Sequence, residues 1–294
     1  MSVRNERSLA IVFNEGAGSS SRERADDLVR LFSSEFEVRL HTISSGRSAE
    51  DCTRAALGEG AEVVLAVGGD GTVSGVAGAL VGGDATLAVL PRGTANSFAT
   101  ALGLPFDPED VCDLLRSGSV QQIDAASCLD RTMILHATVG AHADVIGGTP
   151  RNAKNRWGTL AYAVSALEKL VALEPFAVRI EADEHVIACS AVVVTVANLA
   201  PVRTLVAQGP AAVRGDDALL DVTIVAATGL VDAVAAGAHL LQTALAGEPA
   251  ERDDIGYFAC RRVRIDADPA QRVIVDGEAV GLTPLAVELL PRRR

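Results

Sequence analysis

A glycine turn between two apolar segments holds the first residues whose types and spacing could do chemistry. The β-branched run Val63–Val67 predicts a buried strand, which breaks at Gly68-Gly69-Asp70-Gly71-Thr72 and continues as a helix of small residues. Glycine lets the backbone approach an anion closely, and a helix N-terminus attracts negative charge. Asp70 would repel a phosphate there unless a divalent cation lay between them. The turn therefore indicates a phosphate and metal site, although ordinary strand-to-helix turns share the pattern.

Two further loops follow predicted strands and could face the same ligand. One runs from Asn14 to Ser19, and the other runs from Pro91 to Asn96. Because the carboxyl ends of parallel strands meet at one edge of a sheet, we expect both loops to lie beside the glycine turn. Thr94 and Asn96 are expected to cap the following helix while offering a hydroxyl and an amide to a nucleotide.

The same residues exclude several other sites. The chain has no GxxxxGK[ST] motif and only two lysines, Lys154 and Lys169, so backbone N–H groups, hydroxyls, arginine and metal must hold any phosphates. Ser74 stands where GxGxxG needs its third glycine, which weakens a dinucleotide-binding interpretation. HExxH and GxSxG are absent, and His136 and His142 do not have zinc-ligand spacing.

Composition limits the class of protein. The chain has 294 residues, of which 49% are hydrophobic and 22% are charged, so it is globular with a sizeable core. Its net charge of −12 argues against nucleic acid as a partner and against tight adhesion to anionic membranes. Five scattered cysteines without a CxxC pair are typical of reduced thiols in a cytoplasm. The N-terminus predicts a first strand instead of a signal peptide.

Strands and helices alternate along the first part of the chain, which predicts a parallel sheet wound with helices. The predicted strands are Ser8–Asn14, Glu37–Ile43, Val63–Val67 and Thr86–Leu90. Besides the helix after the glycine turn, the predicted helices are Arg22–Ser34, Ser48–Leu57 with a serine cap, Thr94–Leu102 and Pro108–Arg116.

The pattern changes near residue 120 to strand-like runs separated by turns, which predicts a β-rich domain with antiparallel hairpins. The boundary falls near Ile123–Ala126 without a flexible spacer, so we expect two domains that face each other across a ligand cleft. The predicted strands are Val120–Ala125, Met133–Val139, Phe176–Glu181, Val186–Val196, Leu219–Ala226, Phe258–Ile265 and Val273–Val275, and the helical stretches are Gly158–Leu173 and Leu230–Ala246.

Two motifs together resemble a known family. GGDGT at Gly68–Thr72 is followed by PRGTANSFATALGLP at Pro91–Pro105, and this pair is similar to the diacylglycerol kinase catalytic domain superfamily. Within it, bacterial lipid kinases of the YegS/DgkB type match best. The resemblance continues through GTLAY at Gly158–Tyr162, DALLDV at Asp217–Val222 and DGE at Asp276–Glu278.

The resemblance implies both a fold and an activity. The implied fold is α/β plus β, with an N-terminal NAD-kinase/phosphofructokinase-like α/β domain over residues 1–124. A C-terminal β-sandwich lipid-substrate domain would cover residues 125–281, and segment 282–294 would return to the first domain. The implied activity is that of an ATP- and Mg²⁺-dependent lipid kinase, with diacylglycerol converted to phosphatidic acid as the first expectation.

The resemblance also implies roles for individual residues. Glu278 would be the general base, and Asp70 would position Mg-ATP. Asp217, with backbone oxygens near Arg214 and Leu219, would hold a structural Mg²⁺. The implied nucleotide site consists of Asn14, Thr42, Gly68, Gly69, Asp70, Gly71, Thr72, Val73, Ser74 and Thr94, beside Asn96.

The chain departs from the family pattern at several positions. Glu15 stands where the family usually has proline, and Ser74-Gly75 replaces Asn-Glu after GGDGT. Ala218 replaces the glycine that normally follows Asp217. The first two departures bear on nucleotide affinity and on the choice of lipid, and the third bears on the geometry of the metal.

The implied partners are ATP and a lipid drawn from a membrane, for a cytoplasmic protein that is peripheral at the membrane while it acts. Arg151, Lys154 and Arg156, just ahead of Trp157, are the expected basic and aromatic contact with that surface. A solvated loop is the plainer interpretation of the same residues. The sequence leaves the oligomeric state open, with a homodimer among the options.

Two other functions remain open at this point. An NAD kinase shares GGDGT, but Pro91–Pro105 and the late DGE follow the lipid-kinase pattern. A non-catalytic nucleotide- or lipid-binding regulator is compatible with the altered loops, but the chain retains both Asp70 and Glu278.

Overall fold

The structure is a computed structural model that describes residues 7–14, 21–140, 174–201, 213–226, 239 and 252–291, without the side chains of 21–24. The contacts divide the chain into two units. The first is Met1–Gln122 with Arg293–Arg294, and the second is Ile123–Arg292. The division lies where the sequence pattern changes.

The first unit contains a four-stranded parallel sheet in the order β2-β1-β3-β4, so the predicted α/β domain is confirmed. Its strands are β1 (Ser8–Asn14), β2 (Glu37–Ile43), β3 (Val63–Gly68) and β4 (Thr86–Pro91). Its helices are α1 (Ser21–Phe32), α2 (Ala49–Gly58), α3 (Asp70–Leu80), α4 (Ser97–Ala101) and α5 (Pro108–Ser117).

Apolar runs and a polar cap explain these elements. Every residue of β3 is buried, as expected of a central parallel strand with helices over both faces. Leu9, Leu65 and Phe32 belong to the core of this unit. The predicted serine cap is confirmed, because Ser48 Oγ accepts from Asp51 N at 3.1 Å and the Asp51 carboxylate accepts from Ser48 N at 3.1 Å.

The second unit is a β-sandwich of two six-stranded antiparallel sheets, as the resemblance implied. One sheet has the order β12-β11-β10-β7-β14-β15, and the other has the order β6-β5-β16-β13-β8-β9. Valine, isoleucine and leucine side chains form the core, among them Val194, Val222, Ile180 and Val263. The strands are β5 (Ala126–Cys128), β6 (Arg131–Met133), β7 (His136–Val139), β8 (Phe176–Ala182), β9 (His185–Ala191), β10 (Val193–Ala197), β11 (Leu220–Val225), β12 (Ile255–Cys260), β13 (Arg262–Asp268), β14 (Arg272–Val275), β15 (Glu278–Leu282) and β16 (Leu285–Leu289).

Two predicted strands are wrong, because in the structure each run forms two strands that belong to different sheets. The run Val186–Val196 is divided at Val192 between β9 and β10, and the run Phe258–Ile265 is divided at Arg261 between β12 and β13. Each break lets the chain cross from one sheet of the sandwich to the other. A continuous apolar run does not reveal that crossing.

Three other predicted elements are also corrected. Val120–Ala125 forms no strand, since pairing begins only at Ala126. Met133–Val139 is interrupted because the N–H groups of residues 134–136 donate to a carboxylate, described below, instead of to a strand. The predicted helix Thr94–Leu102 is shortened to α4, because the residues before it form a turn.

The predicted return of 282–294 to the first domain is wrong for β16. This strand pairs with β13 and β5 inside the sandwich, and its alternating Leu285 and Val287 are buried in the sandwich core. The predicted helical stretches Gly158–Leu173 and Leu230–Ala246 lie outside the described residues, except for the helical His239. Within the described ranges, no helix has the length and apolarity needed to cross a membrane.

Candidate active site

The parallel register brings the ends of the four strands of the first unit level with one another. Asn14 at the end of β1 pairs with Ile43 at the end of β2, and Gly68 at the end of β3 pairs with Pro91 at the end of β4. Thr42, next to Ile43, is half-buried at the same edge. The sheet therefore delivers the predicted nucleotide loops to one edge.

The glycine turn and the loop after β4 are in direct backbone contact. Arg92 N donates to Gly68 O at 2.8 Å. A Cβ atom on Gly93 would lie 2.5 Å from Gly69 Cα, and one on Gly68 would lie 2.4 Å from Thr72 Oγ1. Gly93 is thus required for the close approach of the two loops, whereas Gly68 is required for the close approach of Thr72 within the glycine turn itself.

Asn96 shapes the loop after β4. It has a left-handed backbone with φ of 49°, and its side chain accepts from Gly93 N at 2.8 Å and donates to Gly93 O at 3.0 Å. The expectation that Asn96 caps α4 with its side chain is therefore wrong, because both amide atoms hold the turn. Thr94 is exposed at the tip of that turn.

Asp70 connects the glycine turn with α4. It is the first residue of α3, and its Oδ1 accepts from Phe98 N at 3.1 Å. Phe98 lies in the first turn of α4, where N–H groups lack helical partners and favour a carboxylate. The N-cap residue of α3 is Gly69, which has no side chain to offer to the first N–H groups of the helix. The positive end of this helix therefore faces the loop edge, as an anion site requires.

The remaining predicted nucleotide residues at this edge differ in their contacts and in their exposure. Asn14 Nδ2 donates to Thr72 Oγ1 at 3.2 Å, which ties the end of β1 to α3. Gly71 is exposed and Ser74 is partly exposed, whereas Val73 is buried and packs away from solvent. The backbone of Val73, and not its side chain, is therefore what the motif can offer to a ligand.

The predicted metal residues lie in the second unit on the loop before β11. Asp217 is exposed, and its Oδ1 accepts from Leu219 N at 3.1 Å. Ala218 between them has φ of 63°, a left-handed conformation that glycine adopts more easily. Arg214 Nε donates to Asp216 at 3.1 Å instead of to Asp217.

Asp124 holds this loop and was missed by sequence reasoning. It is buried, its Oδ2 accepts from Ala218 N at 2.8 Å, and its own N donates to Gly215 O at 2.6 Å. Its carbonyl accepts from Asn198 Nδ2 at 2.8 Å. Ala218 has a left-handed backbone at the position where the family usually has glycine, and the Asp124 carboxylate holds it there through the hydrogen bond from Ala218 N.

Asp221, inside the DALLDV segment, is a buried carboxyl beside this loop. Tyr257 Oη donates to Asp221 Oδ1. Burial raises the pKa of Asp221, with the charge of Asp217 acting in the same direction and the tyrosine hydrogen bond opposing both. Burial and the hydrogen bond with Asp221 also raise the pKa of Tyr257.

The late DGE segment forms a tight hairpin. Asp276 and Gly277, with φ of 49° and 88°, join β14 to β15 as a two-residue turn. The Asp276 carboxylate accepts from the N–H groups of Ile134, Leu135 and His136 at 2.9–3.1 Å. Glu278 follows as the first residue of β15, and its side chain is 61% exposed.

The next question is which side chains could bind a metal ion. In the described part of the chain, no three His, Cys, Asp or Glu side chains come together. Mg²⁺ bound with a nucleotide needs only one or two carboxylates, because phosphates and waters complete its six ligands. Asp70 fits that requirement, because it is a carboxylate within the glycine turn. One of its oxygens accepts from Phe98 N.

Family models match almost the whole of the described chain. Residues 8–128 match the diacylglycerol kinase catalytic domain, and residues 137–293 match the YegS C-terminal NAD kinase beta sandwich-like domain.

Curated relatives and solved structures agree with these matches. A Synechocystis protein of uncharacterized function is 32% identical over 96% of this chain and 68% of its own. A Bacillus subtilis protein named diacylglycerol kinase is 28% identical over 93% of this chain and 90% of its own. A crystal structure of a diacylglycerol kinase from Bacillus anthracis shares the fold, with a TM-score of 0.71 and 21% identity over 97% of this chain and 94% of that one. The glycine turn, the sandwich and these matches agree, and the chain belongs to the diacylglycerol kinase family of lipid kinases.

Proposed function

We propose that this chain transfers the γ-phosphate of ATP to a hydroxyl of diacylglycerol and so forms phosphatidic acid. The observation that carries the proposal is the contact between the glycine turn and the loop after β4, beside the N-terminus of α3, whose N-cap residue is Gly69. Family membership supplies the lipid kinase class. The name of the Bacillus subtilis relative favours diacylglycerol as the acceptor.

In this proposal the first unit binds the nucleotide. Backbone N–H groups of Gly68–Ser74 and the helix N-terminus attract the phosphates, since the chain has no P-loop lysine. Asn14, Thr42 and Thr94 complete the site, and Asn96 holds the loop that carries Thr94.

Mg²⁺ is the proposed metal, and when bound it would neutralise charge on the transferring phosphoryl group. Asp70 would hold it through the nucleotide phosphates. Asp217, with backbone oxygens of Arg214 and Leu219, is proposed to bind a second Mg²⁺ that stabilises its loop. The fixed shape of that loop around Asp124 supports this role.

Glu278 is proposed as the general base. An alcohol is a weak nucleophile at neutral pH, and a carboxylate at hydrogen-bond distance can accept its proton as the oxygen attacks phosphorus. Glu278 suits the task because it is exposed and fixed at the start of β15 by a tight turn. The Glu278 carboxylate would then return the proton to solvent.

The lipid must be reached at a membrane surface. We propose that Arg151, Lys154, Arg156 and Trp157 make a transient contact there, although they lie outside the described residues.

The test is phosphate transfer from labelled ATP with Mg²⁺ to diacylglycerol in mixed micelles. We expect Glu278→Gln to lower kcat by about 100-fold or more while ATP binding persists, because general base catalysis contributes about 10²- to 10⁴-fold. Glu288→Gln is the matched control, since Glu288 is also an exposed strand glutamate but belongs to the other sheet. Unchanged transfer in Glu278→Gln would remove the base assignment.

The same assay separates the alternative functions. Transfer to NAD without transfer to lipid would favour an NAD kinase. ATP binding without transfer to any extracted lipid would favour a non-catalytic regulator.

A further inference from the structure

One ion pair joins the two sheets of the sandwich at their outer strands. Arg131 Nη1 lies 3.2 Å from Glu278 Oε2, although 147 residues separate the two in sequence. Arg131 begins β6, at one end of the strand order of its described sheet, and Glu278 begins β15, at one end of the strand order of the other. The ion pair therefore connects the two sheets at one side of the sandwich.

The register shows that both side chains are on the inner faces of their sheets, the faces that pack against each other. Arg131 is opposite Cys128, and Glu278 is opposite Val275. Directly opposed residues share a face, and both Cys128 and Val275 lie in the core between the sheets. Arg131 and Glu278 thus meet where the core opens to solvent, with 47% and 61% of their side chains exposed.

The backbones that carry the pair are held firmly. Each residue follows a two-residue turn with positive φ, Leu129-Asp130 before Arg131 and Asp276-Gly277 before Glu278. The Asp276 carboxylate also binds the three N–H groups that follow β6. One buried carboxylate therefore connects the two hairpins, and the separation of Arg131 and Glu278 is set by this connection.

An exposed ion pair contributes little to stability, so stability is a weak reason for this arrangement. We propose that Arg131 is a positioning residue for Glu278. This inference rests on the proposed function, in which Glu278 is the base. The guanidinium holds Oε2 and limits rotation of a carboxylate that would otherwise move freely at an exposed edge. Oε1 is left to accept the proton of the lipid hydroxyl.

The test compares kinetic constants of Arg131 variants with a matched control. We expect Arg131→Gln to lower kcat by about 10- to 100-fold, the scale of a misplaced catalytic group, with KM for ATP and for diacylglycerol unchanged. Arg131→Lys should recover part of kcat, because its ammonium can still contact one carboxylate oxygen. Arg264→Gln is the control, since Arg264 pairs with Asp266 on the surface of the same sheet and should leave kcat unchanged.

A double variant decides how Arg131 acts. If it acts through Glu278, adding Arg131→Gln to Glu278→Gln should lower kcat no further. A further fall would overturn the proposal and indicate that the guanidinium contacts the phosphoryl group itself. Unchanged kcat in Arg131→Gln would also overturn it. A wild-type chain that transfers no phosphate would instead overturn the proposed function, and the role of Arg131 with it.

Discussion

The side chains of Asn96, Asp124 and Asp276 are buried, and each binds backbone groups of a segment in its own unit that carries or adjoins predicted site residues. Asn96 holds the loop after β4, and Asp124 holds the loop before β11. Asp276 fixes the hairpin that presents Glu278. At the residue scale, the loops are therefore shaped by polar groups that need not touch a substrate.

The pair of Asp221 and Tyr257 leads to a prediction about pH. Burial raises the pKa of Asp221 above its value in the unfolded chain, so its contribution to stability falls as pH rises through the pKa of the folded state. Tyr257→Phe removes the hydrogen bond that opposes this shift, and the pKa of Asp221 should rise further. We expect a loss of about 1.5–3 kcal/mol in the free energy of unfolding at pH 7, because a buried carboxylate loses its donor.

The free energy of unfolding lost in Tyr257→Phe should be smaller at about pH 3.5, where more of Asp221 is protonated. Urea unfolding followed by tyrosine and tryptophan fluorescence at both pH values measures the difference. In an Asp221→Asn background, Tyr257→Phe should show no such pH dependence. If Tyr257→Phe in the wild-type background lost the same free energy at both pH values, the effect could not be assigned to the hydrogen bond with the Asp221 carboxylate.

Asp70 and Glu278 could be proposed as site residues from the sequence because each lies inside a short motif. Asp124 and Arg131 could not, because their partners are 94 and 147 residues away. Contacts of that range depend on strand pairing, which a single sequence does not specify. The expected side-chain cap of Asn96 was wrong, since a left-handed turn replaced it, and its place in the nucleotide site stays a prediction.

At the scale of elements, the packing of α2 on α3 explains one departure from the family. A Cβ atom on Gly75 would lie 2.8 Å from Ala49 Cβ, so the two helices meet at this glycine. The side chain that the family usually has at this position would require α2 to move. The departure is therefore a packing feature of these two helices.

Gly75→Ala should lower the free energy of unfolding by about 1 kcal/mol. Overpacking costs about 1–3 kcal/mol, and the better helix propensity of alanine returns about 1 kcal/mol. Gly58→Ala, where nothing lies within 4 Å of a Cβ atom, should instead raise stability by about 0.5–1 kcal/mol. Far-UV circular dichroism in urea measures both. Equal effects of the two substitutions would rule out the steric explanation, whereas recovery in Ala49→Gly/Gly75→Ala would support it.

The strands of the parallel sheet were predictable to within a residue because β1, β3 and β4 are short apolar runs, and β2 alternates apolar with polar residues. The sandwich was harder to predict. Val186–Val196 remains apolar through Val192, where the chain changes sheets, so hydrophobicity gives no sign of the break. The family resemblance gave the correct class of domain where periodicity alone gave only strands.

At the scale of the whole molecule, each unit has its own hydrophobic core. All tyrosine and tryptophan residues, Trp157, Tyr162 and Tyr257, lie beyond residue 122 in the sequence. Their fluorescence therefore reports the second unit. Far-UV circular dichroism also reports the helices of the first.

We expect ATP with Mg²⁺ to stabilise the first unit selectively. At a concentration of about 100 times Kd, a ligand adds about 2.7 kcal/mol to the unit that binds it. The dichroism midpoint in urea should then rise while the fluorescence midpoint stays constant. An equal rise of both would show that the two units unfold as one, and no rise of either would contradict ATP binding.

The outer strands β6 and β15 also bear on how the protein behaves in concentrated solution. A strand at the border of a sheet offers unpaired backbone groups to the same strand of another copy, and β15 adds Leu282 with 60% of its surface exposed. Charged side chains at such borders discourage self-association. Arg131 and Glu278 place opposite charges on these two borders, so we expect the ion pair proposed to position the base to discourage edge-to-edge pairing of copies as well.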